Sequence, residues 1–161
     1  MRFIAPFVVA ILATALPSAA RADNAQACAL ASCKALFVDH DLEAFKQFVS
    51  PSAVQGDHEP GTALAKLEKQ NAQKMNDIEL AQIVFFRVSD IDRLEKEYPD
   101  DLWGRVRKHI GKQQGVLVKL ALTGKLADRA RAAGKDPRDI AMMTFVVNAD
   151  DDPKIVHVDD N

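Results

Sequence analysis

The chain has 161 residues, a formal net charge of −2 at pH 7 and hydrophobic residues making up 48% of its length. That length holds one ordinary domain with one core. The mildly acidic balance supplies no basic face, which argues against a nucleic-acid partner.

The N-terminus reads "MRFIAPFVVAILATALPSAARADNAQ". Arg2 gives a short positive region, Phe3 to Leu16 an apolar run, and Pro17 a break. Ala20 and Ala22 place small residues at the two positions a signal peptidase reads, so the expectation is cleavage before Asp23. The run is shorter than the roughly 20 apolar residues a spanning helix needs. Lipidation at Cys28 is disfavoured, because Ala25-Gln26-Ala27 lacks the large aliphatic residue expected upstream. The expected organisation is a cleaved signal peptide over residues 1–22 and a single α+β domain over residues 23–161. The mature charge would be −4, since Arg2 and Arg21 leave with the signal. The expected location is the periplasm or the exterior, with no stable membrane span after cleavage.

Cys28 and Cys33 lie in "CALASC". An exported chain meets an oxidising compartment, so an even cysteine count invites a disulfide. A regular helix separates residues five apart by about 7.5 Å along its axis, and a disulfide wants Cα atoms within about 7 Å. The expectation is nonetheless a Cys28–Cys33 disulfide, formed by local unwinding or by pairing between chains.

Residues 23–50 read as mainly helical, with a break near His40 and Asp41 as the cap of a second helix. "SPSAVQGDHEPG", residues 50–61, reads as a loop on its prolines and glycines. Residues 62–76 form a polar helix with Leu64, Leu67 and Met75 on its better face. "IELAQIVFFRV", residues 78–88, is rich in β-branched and aromatic residues and reads as a strand. A short helix is then expected from Ser89, with Asp92 as a weak capping box, stopping near Pro99. Leu102, Trp103, Val106 and Ile110 follow at helical spacing, with Gly104 and Gly111 weakening the pattern. Residues 115–122 are a second strand, residues 125–134 a short helix capped by Gly134, residues 140–147 a third strand and "KIVHV" a fourth. The longer strands are apolar on both faces: one face would pack on helices, the other line a cavity or a subunit interface. Helices first and strands after indicate an α+β domain, with N-terminal helices on a curved antiparallel sheet of about four strands.

"DLEAFKQFVSPSA" and the terminal hairpin "FVVNADDDPKIVHV" resemble members of the nuclear transport factor 2-like superfamily. The resemblance implies helices covering a strongly curved sheet whose concave face forms a pocket. Pro153-Lys154-Ile155 stands where that hairpin often carries a tryptophan, and the helix-like stretch 125–134 is not typical of the family. The superfamily hosts enzymes, ligand binders, dimerisation modules and toxin-neutralising proteins, so the fold alone does not choose a function.

Chemistry is sparse. Asn148, Asp150, Asp152 and Asp159 match the ligand offsets of a calcium loop. Pro153 stands where that loop needs glycine, and strands flank it where helices should, so a hairpin turn explains these residues better. Asp57, His58 and Glu59 are adjacent loop residues, and His40 sits between two aspartates; neither has convergent ligand spacing. There is no GxSxG elbow and no phosphate-cradling loop. His109 and His157 are the candidate general bases, and a lone histidine without a partner is not a mechanism. His157, His109 and Trp103 are the candidate binding residues; no metal ligand set and no cofactor is called for. The leading expectation is an exported, non-enzymatic binding or protein-interaction module, one specific form being a toxin-neutralising protein. The partner would be an unknown protein, a small-molecule ligand or a second copy of the chain. The alternative is a small-molecule enzyme using a pocket histidine or carboxylate as general base.

Overall fold

Five strands form one mixed sheet in the order β1-β5-β4-β3-β2. The computed structural model describes residues 17–161, without the side chains of residues 17–21 and 70–75. Most of the expected signal peptide, residues 1–16, lies outside the described residues, as does the side chain of Met75. In chain order the elements are α1 (Pro17–Phe37), α2 (Leu42–Lys46), β1 (Val49–Gln55), α3 (Thr62–Lys74), β2 (Ile78–Phe86), α4 (Ile91–Glu97), α5 (Leu102–Ile110), β3 (Gln114–Leu122), α6 (Gly124–Ala132), β4 (Ala141–Val147) and β5 (Ile155–Asp160). The α+β class stands as expected. The sheet has five strands where about four were expected, and it is mixed, because β1 runs parallel to β5 while the other pairs are antiparallel.

The two-sided apolar strands follow from helices on both faces. Val116, Val118, Leu120, Phe145 and Val147 join a cluster with Ala25, Ala29, Cys33 and Leu36 of α1. Leu117, Met142 and Val146 face the other way, into a cluster with Leu94 of α4 and Leu102, Trp103, Val106 and Ile110 of α5. Central strands clothed on both faces lose polar alternation. Gly115 permits the second layer to close: a Cβ there would fall 2.3 Å from the Phe86 ring. That ring meets Trp103 edge-on at 5.6 Å.

β1 replaces the end of the expected helical stretch and the first half of the expected loop over residues 50–61. Pro51 hid it, since proline cannot donate to a ladder and is confined to edges and irregularities of a sheet. β1 is an edge, and its pairing with β5 is irregular between Val49 and Val54. Beyond it the loop reading holds, with Gly56 and Gly61 at φ +56° and +85°.

The other boundaries behave locally. Asp41 caps α2, accepting the Ala44 N–H at 2.9 Å. The helix expected from Ser89 opens one residue earlier, as a tight turn over Val88–Asp90 in which the Asp90 carboxylate accepts the Arg87 N–H at 2.8 Å, and α4 follows from Ile91. Gly134, at φ +72°, ends the turn after α6, with the Lys135 N–H donating back to Ala130 O at 2.9 Å. The aspartate knot is a closed hairpin turn. The Asn148 N–H donates to Lys154 O at 3.0 Å, and the Lys154 N–H donates to Asn148 Oδ1 at 2.7 Å. Asp159, the twelfth position of the calcium pattern, points instead to Arg105 on α5. Among the described residues no helix is long and apolar enough to cross a membrane.

The expectation of a Cys28–Cys33 bond within one chain is corrected. Cys28 and Cys33 are free and buried in a helix that runs unbroken through both. Regular helical rise keeps them too far apart to bond. The Cys28 thiol donates to Pro153 O at 3.2 Å. Burial pushes Cys28 up to about 11, with Lys154 pulling the other way. Burial likewise pushes Cys33 up to about 12, against a hydrogen bond from Ser32. Both are therefore protonated, and the thiolate is the reactive form. Iodoacetamide at pH 8 is expected to leave both thiols of the native protein unlabelled over minutes. Denaturation without reductant should then expose both. Mass spectrometry distinguishes this from a disulfide, which would label only after reduction.

Candidate functional site

Helix α5 presents Arg105, Lys108 and His109, three and four residues apart and so on one face, to β5 and the turn after β1. The Arg105 guanidinium grips Asp159 through Nε–Oδ2 at 2.6 Å and Nη2–Oδ1 at 3.0 Å. Lys108 Nζ lies 3.1 Å from both oxygens of Asp57. The His109 ring stacks on His157, centroids 4.2 Å apart and planes 17° from parallel.

His157 is 1% exposed. Its Nε2–H donates to Gly56 O at 3.1 Å, which leaves Nδ1 as a buried acceptor without a partner among the described residues. Burial lowers its pKa, the His109 ring lowers it further, and the Gly56 hydrogen bond opposes both. The folded state therefore favours neutral His157. An unfolded histidine takes up its proton near pH 6.5, so the unfolded chain binds more protons just below that value. The His157 contribution to stability is full above about pH 6.5, declines as pH falls below it, and is lost as pH passes the folded pKa. Urea unfolding midpoints are expected to fall between pH 7 and pH 5, and His157→Phe should flatten that slope.

The two candidate histidines are thus brought together, and Trp103 is not with them. Trp103 is fully buried in the α4–α5 layer, where its Nε1–H donates to Tyr98 O at 2.7 Å. It is a core residue. As a general base His157 has the required lone pair but no access to solvent, and Asp159 is held by Arg105.

A different site was not read from the sequence. Where α1 ends, between the sheet and α6, lies a cavity of about 300 Å³. Phe37, Ile78, Leu122, Leu126, Ile140 and Met143 supply most of its apolar wall, with Ala141 among them and Asp160 and Asn161 as the polar end. Asn161 fixes that end: its Oδ1 accepts the Met142 N–H and its Nδ2 donates to Ile140 O, both at 2.8 Å. No motif announces this wall, because its residues come from six separate stretches of chain.

Asp160 also lines a second, polar cleft of about 310 Å³, together with Gln55, Asp57, His58, Lys66, Arg105 and Asp159. Lys66 Nζ lies 2.7 Å from Asp160 Oδ1, and Gln55 Nε2 donates to the same oxygen at 2.8 Å. Among the described residues, no three His, Cys, Asp or Glu side chains gather in a way that could hold a metal ion.

Comparison with protein-family models, with curated proteins and with solved structures returns no match to this chain.

Proposed function

We propose that this protein is a periplasmic or secreted, non-enzymatic binding module that takes a small apolar ligand into the cavity between α1, α6 and the sheet. The supporting observation is the cavity: its volume lies at the lower end of the range for small-molecule sites, and its wall is mostly apolar with few polar groups at one end. Such a pocket over a sheet is also what the nuclear transport factor 2-like resemblance implies. The enzyme alternative loses ground because His157 is enclosed, half-buried His109 is stacked on it, and the neighbouring Asp159 is tied in a bidentate pair. A protein-docking role, toxin neutralisation included, would draw on a broad apolar patch. The large apolar side chains exposed among the described residues are Leu30, Val38 and Val88, on separate stretches of chain. Export fits the N-terminal signal pattern, and secreted material is expected to begin at Asp23 on N-terminal sequencing.

The cavity reading has a direct test. Ala141→Phe puts a ring into the lined space. A ligand at a hundredfold its Kd stabilises the wild type by about 2.7 kcal/mol. The variant is expected to lose that ligand-dependent rise in melting temperature while its own unliganded melting stays within a few degrees. An equal ligand-dependent rise in both proteins would place the ligand elsewhere and end the proposal.

A further inference from the structure

The cavity and the polar cleft share one wall. Asp160 lines both. Its carboxylate accepts from Lys66 and from the Gln55 side-chain amide. That second bond fixes which end of the amide is which, since Oε1 facing a carboxylate would repel it. Gln55 Oε1 is then buried, on a residue 2% exposed, and has no hydrogen-bond partner among the described residues. A buried acceptor left unpaired is costly and uncommon in a folded protein. Of the cleft's lining side chains it is the buried one that lacks a partner.

The cleft's charges are matched internally. Arg105 pairs with Asp159, Lys66 with Asp160, and Asp57 with Lys108 just outside. A ligand carboxylate entering here meets Asp57, Asp159 and Asp160. A ligand ammonium meets Lys66 and Arg105. Either must break a pair already made. An uncharged donor breaks none and satisfies the acceptor that is waiting.

We infer that the ligand is an amphiphile with an uncharged, hydrogen-bond-donating head, an alcohol or primary amide. Its chain fills the apolar cavity and its head passes Asp160 to donate to Gln55 Oε1. This rests on the binding-module reading, and the experiment separates the two. Isothermal titration of the full chain uses four probes of equal length: 1-octanol, 1-methoxyheptane, octanoate and octylamine. The ether matches the alcohol in size and lacks only the donor. Octanol is expected to bind about tenfold more tightly than the ether, the span of one hydrogen bond, and more tightly than either charged probe. Shortening the alcohol should weaken it by about fourfold per methylene. Gln55→Leu, close in volume, should bring octanol down to the ether and leave the ether unchanged. If that variant does not fold, the rank order on the wild type still decides. Equal binding of alcohol and ether, or tightest binding by octanoate or octylamine, overturns the headgroup assignment and leaves the cavity standing. Binding of none of the four overturns the cavity reading as well.

Discussion

Replacing Arg105 with alanine is expected to destabilise the protein by about 3–5 kcal/mol, a fall in melting temperature on the order of 10 °C. The size of the effect comes from what is left behind. The Asp159 side chain is 3% exposed and Arg105 29% exposed, so the pair lies under α5 rather than on the surface. Without the guanidinium, Asp159 keeps only local partners such as the Asp160 N–H at 2.9 Å. A buried carboxylate without its counter-charge is among the costliest defects a point mutation makes. Removing both charges, as Arg105→Leu with Asp159→Leu, is expected to recover most of the loss, because no unpaired charge remains. Urea denaturation of Arg105→Leu, of Asp159→Leu and of the double variant closes the cycle. A single-variant loss below about 1 kcal/mol, the size typical of surface pairs, would show that water reaches Asp159 as soon as the arginine is gone.

Trp103→Ala is expected to cost about 3–5 kcal/mol, the range for deleting a large aromatic from a core. The indole is fully buried, packs edge-on against Phe86 and donates to Tyr98 O. Its loss opens a void where α4, α5 and the sheet meet and leaves the Tyr98 carbonyl without that donor. Trp103→Phe should cost less, keeping most of the packing and losing the hydrogen bond. Thermal melts followed by circular dichroism give both values. The same experiment separates a core role from a ligand-contacting one. A core tryptophan lowers stability and leaves probe affinity in the folded fraction unchanged. A ligand contact would do the reverse.

Helices and inner strands were legible because their signals are local. Leu102, Trp103, Val106 and Ile110 keep helical spacing, and all four are buried on one face of α5. The turn at Asn148–Lys154 follows from side chains that bond their own neighbourhood. What escaped depends on tertiary context. β1 exists because β5 lies beside it, and Pro51 hides it from any local reading. The cysteines were read from the compartment they were expected to meet, whereas the helix holding them obeys its own rise. His109 and His157 were each noticed, but their stacking needs α5 laid across β5, which no spacing encodes. The cavity and the Gln55–Asp160 wall assemble from distant stretches whose residues are individually ordinary.

The position of β5 bears on when this chain can fold. It lies between β1 and β4, so residues 49–55 reach the rest of the sheet only through residues 155–160. The β4–β5 hairpin closes over the short turn at Asn148–Lys154. The β1–β5 ladder must close over more than half the chain, and such distant pairings are slow to form because their entropy is lost before their contacts are gained. During synthesis, α1 to β4 can emerge while Gln55, Arg105 and His109 still lack their partners on β5. A chain in that state has an unfinished sheet and lacks the wall that Gln55 and Asp160 build together.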